Sequence, residues 1–301
     1  MTTGTAEPDT VHRPMPTAPG VIHRWVTARG IRFHLAEAGA GGVPLLLLHT
    51  FPQHWYAWHP VLPLLAPDHR LICPDLRGAG WSDAPSRGYD TDTRVADTLA
   101  LLDALGLERV GLISHGWGGW LGFMLCLRAP ERFTHHLALN SIHPWPLHRR
   151  LVPNAWRYWH TAPLEAPLVG RAVLRRWPGF TRGLLRRGVA DPSVWSPQEL
   201  DEYALAAGGP GRARAGELLN RAYALHDIPR LVRGHYKRLR LTTPTVLLAG
   251  ERDAILPPAV MTDAGRYAEE LRIRIVPGAG AHLPKERPEE VAETARALFR
   301  S

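Results

Sequence analysis

Residues 109–128 read Arg109-Val-Gly-Leu-Ile-Ser114-His115-Gly116-Trp117-Gly118-Gly119-Trp120-Leu-Gly-Phe-Met-Leu-Cys126-Leu-Arg128. A short apolar run, Arg109–Ser114, predicts a strand buried on both faces. A glycine-rich turn follows it directly, and Trp117–Arg128 has the length and composition of a buried helix. A sharp turn of this small-x-x-x-small form holds its central residue, here Gly116, in a strained backbone conformation at the carboxyl edge of a sheet, where it faces a ligand.

The same alternation extends in both directions. Upstream, Val21–Ala28 and Ile31–Glu37 predict two opening strands, Pro44–His49 a fully buried strand and Trp55–Ala66 a helix. His69–Pro74 predicts another strand and Thr93–Leu105 a helix that stops at Gly106. Downstream, His135–Asn140 predicts a strand. Residues 146–240 then hold only helical fragments broken by Pro and Gly. Strand character returns at Pro244–Gly250, followed by a helix at Ala259–Glu270, a strand at Arg272–Pro277 and a closing helix at Pro288–Arg300. This order predicts an α/β fold with a mostly parallel central sheet flanked by helices, its core made of residues 21–145 and 241–301. Residues 146–240 are inserted as a helical cap. Residues 1–20, polar and rich in Pro, Thr and Gly, predict a disordered lead without the apolar stretch of a signal peptide.

Composition narrows the function. With 301 residues, 45% of them hydrophobic, a sizeable core is expected. Cys73 and Cys126 both sit in apolar runs, which suits buried free thiols, a reducing compartment and a cytoplasmic protein. The longest strongly apolar stretch, Pro44–Leu48, is far too short for a membrane span. The net charge of +8 raises nucleic acid, an acidic substrate or coding bias as explanations. Residues 147–240 carry sixteen arginines and Lys237 against seven acids, so the whole excess belongs to the cap. That placement argues for solvated helix faces, or an entrance attracting anionic substrates, over a nucleic-acid surface. Sixteen histidines show no paired metal-ligand spacing, and no glycine-rich nucleotide motif follows a strand, so no metal and no cofactor is expected.

Chemistry-bearing residues follow the later strands. Asp253 comes just after Pro244–Gly250, and His282 just after Arg272–Pro277. Turn, acid, histidine is the chain order of the α/β-hydrolase fold. Three further segments strengthen that order. His49-Thr50-Phe51-Pro52-Gln53 resembles an H-G-x-P loop with Thr50 in place of glycine, and Asp75-Leu76-Arg77-Gly78-Ala79-Gly80-Trp81-Ser82 resembles D-x-R-G-x-G-x-S. Ser114-His115-Gly116-Trp117-Gly118-Gly119 resembles G-H-D-W-G-G. On these residues the chain resembles the epoxide hydrolase and haloalkane dehalogenase branch of the α/β-hydrolase superfamily over about residues 21–300.

The resemblance implies a small-molecule substrate, a His282–Asp253 pair and an anion-stabilising pair of Phe51 and Trp117 backbone N–H groups. It also implies a substrate pocket drawing on Tyr223, His160 or Tyr158 as proton donors, with His49 and His115 nearby. Phe51 stands where dehalogenases carry a halide-binding asparagine, which disfavours dehalogenation. The departure with most consequence is Gly116, where that branch carries an attacking aspartate. Glycine has no side chain to form a covalent ester, so the turn is expected to survive without covalent catalysis. Ser114, two residues back, is read as a packing residue.

Three functions fit. The first is an enzyme in which His282, supported by Asp253, acts as general base for hydrolysis, epoxide opening or cyclisation of a reactive metabolite, with water or ligand in the space left at Gly116. The second is a silent binding protein, and the third an epoxide hydrolase disabled by an Asp-to-Gly change.

Overall fold

The computed structural model describes residues 13–300 other than 147, 159–160 and 262–263, and the side chains of 148, 151, 155 and 158 also lie outside that description. Its strands are β1 (Ile22–Ala28), β2 (Ile31–Ala38), β3 (Leu45–Leu48), β4 (Leu71–Pro74), β5 (Val110–His115), β6 (Phe133–Leu139), β7 (Thr245–Gly250) and β8 (Leu271–Val276). They form one sheet in the order β1-β2-β4-β3-β5-β6-β7-β8. β2 pairs antiparallel with β1 and β4, and the remaining pairs are parallel.

The four leucines of β3 show why a continuous apolar run suits a central strand. All four are fully buried. Leu46 and Leu48 join the cluster on one face of the sheet, Leu45 and Leu47 the cluster on the other. Truncating any of them to alanine would cost about 2–5 kcal/mol.

Seven longer helices accompany the sheet: α1 (Thr91–Ala104), α2 (Gly116–Arg128), α3 (Val169–Arg176), α4 (Pro178–Gly188), α5 (Pro197–Gly208), α6 (Pro210–Ala222) and α7 (Pro288–Phe299). Asp90 caps α1 by accepting the Thr93 N–H at 2.8 Å, so that helix begins two residues before the apolar spacing does. Ser196 and Glu199 form a reciprocal capping box on α5. Between β6 and β7 the described residues form helices and short helical turns joined by brief links, from His148 to Arg238, and α3–α6 lie there.

Three expectations need correction. The single helix expected at Trp55–Ala66 is a 3₁₀ turn at Trp55–Trp58 and a short α-helix at Leu62–Leu65, because Pro60 and Pro63 lack the N–H a continuous helix needs. The helix expected at Ala259–Glu270 is replaced by 3₁₀ turns at Pro258–Met261 and Gly265–Tyr267. There Leu241 donates to the Tyr267 carbonyl at 2.8 Å and accepts from the Glu269 N–H at 2.9 Å, pulling the chain into extended pairing. The lead expected to be disordered over residues 1–20 is anchored from residue 13. Arg13 pairs with Glu202 of α5 at 2.6 Å and lies over the Trp81 ring at 4.5 Å. The first twelve residues of that lead lie outside the described residues.

Candidate functional site

β5 ends at His115 and α2 begins at Gly116, whose φ of +52° is the left-handed conformation a non-glycine residue adopts only with strain. The predicted turn is present. A cavity of about 170 Å³ opens beside it. Its walls come from the loop after β3 (Thr50, Phe51, Pro52), the start of α2 (Gly116, Trp117, Trp120), the ends of β6, β7 and β8, and the helical segment (Leu164, Leu184, Leu185, Asn220, Tyr223). Most of these walls are apolar or aromatic. Trp117 and Trp120 both meet the Tyr223 ring edge-on, at 4.6 and 5.7 Å between centroids. Among the described residues no Lys or Arg lines the cavity, whereas Asp253 and Glu165 do.

The position a Cβ on Gly116 would take is occupied by Thr50. A Cβ on Gly116 would fall 2.3 Å from Thr50 Oγ1 and 2.9 Å from Thr50 Cβ. Thr50 Oγ1 accepts the Trp117 N–H at 3.1 Å. So Thr50 lies where the first carbon of a side chain at position 116 would sit. Gly116 itself still lines the cavity. Of the expected anion-stabilising pair, the Trp117 amide already has an acceptor in Thr50 Oγ1. The Phe51 N–H donates to no group among the described residues.

Asp253 and His282 both reach the cavity wall but are not hydrogen-bonded to each other. Asp253 Oδ1 accepts the Ile255 and Leu256 N–H groups, each at 2.8 Å, and its Oδ2 accepts Asn140 Nδ2–H at 3.1 Å. Burial pushes the Asp253 carboxyl up to about 6, against the downward pull of those three bonds. His282 Nδ1 has no partner. Burial, and secondarily the neighbouring His115, lowers the His282 imidazole to about 3. The expected charge-assisted pair is therefore unformed, and its physical reason is local. The acid takes its bonds from its own loop and Asn140, while the imidazole packs edge-on to Trp195, 5.5 Å between centroids, and against Gly188. A Cβ on Gly188 would come within 2.6 Å of His282 Nε2.

The loop carrying His282 is tied to the end of α4. Glu286 accepts from the Ala190 N–H at 2.8 Å, the Gly280 N–H at 2.9 Å and the His282 N–H at 3.1 Å, and Ala281 donates to the Gly188 carbonyl at 2.5 Å.

Of the other expected residues, Tyr223 and His115 line the cavity. His115 Nε2–H donates to the Ala281 carbonyl at 2.7 Å, and burial lowers its pKa to about 4. His49 does not line it. Its Nε2 accepts the Leu76 N–H at 3.0 Å, and it borders a smaller space behind Phe51, so its expected place in the pocket is corrected to one of holding the two loops together. His160 and its neighbour Trp159 lie outside the described residues, as does the Tyr158 side chain. Ser114 is fully buried and 2.6 Å from His136 Nε2, with no access to the cavity.

Two residues escaped the sequence reading. Asn140, at a left-handed φ of +45°, joins the acid loop to the histidine loop through Asp253 and the Gly280 carbonyl. Its signal was an asparagine ending a strand, the residue type that best tolerates that conformation after glycine. Glu286, four residues past His282, had no signal beyond its spacing. Among the described residues no group of three or more His, Cys, Asp or Glu is disposed to hold a metal ion, and no helix is long and apolar enough to cross a membrane.

A family profile described as alpha/beta hydrolase fold matches residues 43–288. The chain is similar to a soluble epoxide hydrolase of Corynebacterium sp. (strain C12), 27% identical over 93% of this chain and 97% of that one. It is 30% identical to epoxide hydrolase 3 of Xenopus tropicalis, over 89% of this chain and 74% of that one. Among solved structures, Cfl2 wild-type from Burkholderia cenocepacia superposes with a TM-score of 0.82 at 31% identity, covering 97% of this chain and all of that one. With its sheet order, its turn and these relatives together, the chain belongs to the α/β-hydrolase fold family.

Proposed function

We propose that this chain takes a small, largely apolar molecule into the cavity and does not bond to it covalently. It keeps the scaffold of the epoxide hydrolases it resembles while lacking their attacking carboxylate, and the helical segment 146–240 serves as the cap over the ligand. The observation that carries this reading is the Thr50 side chain seated where a side chain at position 116 would project. A lost nucleophile alone would leave its neighbours unchanged, whereas here Thr50 stands against the place where the first carbon of that side chain would sit. The apolar walls and the tryptophan–tyrosine cluster support an apolar ligand. The two buried cysteines support a cytoplasmic protein.

A second reading is favoured by the neutrality of His282. Its imidazole carries a free lone pair at neutral pH and is placed with Asp253 on the same wall, so it can act as general base toward a reactive epoxide or a cyclising intermediate. Such a base is worth roughly 10²–10⁴ in rate. The low basicity that comes with burial weakens this reading, since proton transfer is best served by a pKa near the working pH.

Incubation with a panel of epoxides and esters in ¹⁸O-labelled water, followed by intact-protein mass spectrometry and product analysis, separates the two. Binding without product or adduct is expected. A covalent ester on the protein would overturn the proposal. Label entering product in a single turnover, abolished by His282→Ala, would install the second reading.

A further inference from the structure

The smaller space behind Phe51 is built differently from the larger cavity. It measures about 40 Å³ and lies among the loops after β3 and β4, the first turn of α1 and the α5–α6 corner. None of the described residues around it is exposed. Phe51, Pro52 and Trp117 border both spaces and so form a partition between them. Of the two, only the smaller is bordered by Arg77, Arg94 and Arg212, and no Asp or Glu among the described residues borders it.

Two of these arginines have acceptors in the protein. Arg77 Nε–H and Nη2–H donate to Asp97 at 2.6 and 2.9 Å, and Arg212 donates to the Ser82 and Gly80 carbonyls at 2.6 and 3.1 Å. Arg94 makes no hydrogen bond and no ion pair with any described residue, although only 5% of it is exposed. None of its guanidinium nitrogens is walled off by protein, so they open onto the space beside them. Arg94 also borders a space of about 10 Å³, but its charge acts on His49, which borders only the 40 Å³ one. The guanidinium therefore faces that larger neighbour.

Burial lowers the Arg94 guanidinium to about 10, against the pull of Asp227, Asp97 and Asp90, so it stays charged at neutral pH. Asp97 is engaged by Arg77, and Asp227 accepts from the Thr91 hydroxyl at 2.8 Å. A buried guanidinium with five donors and no acceptor is costly unless something else in the core answers it. Water would satisfy the donors and leave the charge. An anion answers both, through charge-assisted hydrogen bonds. One water occupies roughly 10–15 Å³ on this measure, so the space has room for about three waters or one small anion.

We propose that this internal space binds a single small monovalent inorganic anion, with the Arg94 guanidinium as its counter-charge. The site is separate from the larger cavity and independent of the function proposed for it.

Chloride is the probe, and gluconate, too large for the space, is the control at equal ionic strength. Replacing gluconate by chloride should raise the thermal midpoint of the full chain by about 2–4 °C and saturate as one site. The ³⁵Cl NMR line should broaden in the presence of the protein and narrow again when bromide competes. Arg94→Met should abolish both effects. Arg94→Lys, which keeps the charge with fewer donors, should weaken chloride by about threefold or more. A midpoint indifferent to the two salts would overturn the proposal and leave water alone around Arg94. A chloride response that survives Arg94→Met would overturn it too, assigning the anion to the arginine-rich surface. Should Arg94→Met fail to fold, the Arg94→Lys titration decides, since an unchanged chloride affinity there would overturn the site.

Discussion

Two buried aspartate–histidine neighbourhoods among the described residues behave oppositely. In the first, His34 on β2 donates Nδ1–H to Asp75 Oδ2 at 2.8 Å, and both side chains are fully buried. Asp75 also accepts the Trp55 and Trp81 N–H groups, at 2.8 and 2.9 Å, and His34 Nε2 lies 3.0 Å from His23 Nδ1. Burial works against the Asp75 charge, yet the bond from His34 and the surrounding imidazoles hold its carboxyl well below the usual range. In the second, Asp253 and His282 share a cavity wall without a bond, and burial pushes one up to about 6 and the other down to about 3. Proximity does not make a dyad. At Asp75 the bonded imidazole and those around it outweigh burial, whereas Asp253 has only backbone and amide donors and burial prevails.

The largest effect expected from this contrast is at the satisfied pair. Asp75→Ala strands one imidazole N–H and two backbone N–H groups in the core, and should cost about 3–5 kcal/mol in urea unfolding. A loss under 1 kcal/mol would mean that the first pair is no more structural than the second.

Next comes the exchange at positions 50 and 116. Gly116→Asp alone forces a Cβ onto Thr50 and a side chain into a left-handed backbone, and should lose about 2–4 kcal/mol with no gain of epoxide turnover. Thr50→Gly with Gly116→Asp should recover most of that loss and place a carboxylate in the cavity. Histidine side-chain NMR should then find the His282 pKa raised above its present low value. An unchanged His282 would show that its isolation does not stem from these two positions.

The pH dependence of stability separates the two cavity groups by sign. Asp253, raised in the fold, contributes stability below its unfolded value near 3.8 that is lost as pH rises through about 6. His282, lowered in the fold, contributes stability above 6.5 that is lost as pH falls toward about 3. The two oppose each other between about pH 4 and 6. Asp253→Asn should therefore lose stability more steeply than wild type as pH falls through that window, and His282→Gln less steeply. The smallest effect is Asp253→Asn at pH 7.5. It removes an unfavourable buried charge and one bond from Asn140, and should stay within about 1 kcal/mol of wild type.

Much of this was legible beforehand. The leucines of β3, the turn at Gly116 and the order of Asp253 and His282 placed the strands, the carboxyl edge and the family, because buried parallel strands and tight turns each leave a local pattern. What the sequence hid was relational. Thr50 and Gly116 are 66 positions apart, and only the fold brings the Thr50 side chain against Gly116. The unformed Asp253–His282 pair depends on bonds from Asn140 and on Gly188 under the imidazole, contacts with no local pattern of their own. The helix expected at Ala259–Glu270 failed for a similar reason, since pairing with Leu241 overrides its local preference.

Glu286 draws these observations toward motion. Its carboxylate ties the amides of Gly280 and His282 to that of Ala190, just beyond α4, while Ala281 bonds the Gly188 carbonyl. The helical segment cannot swing away at this seam without freeing the backbone that carries His282. The amides of Ala190, Gly280, Ala281 and His282 should therefore exchange with deuterium as one cooperative unit. Opening of this seam and loosening of the histidine loop would then be a single equilibrium.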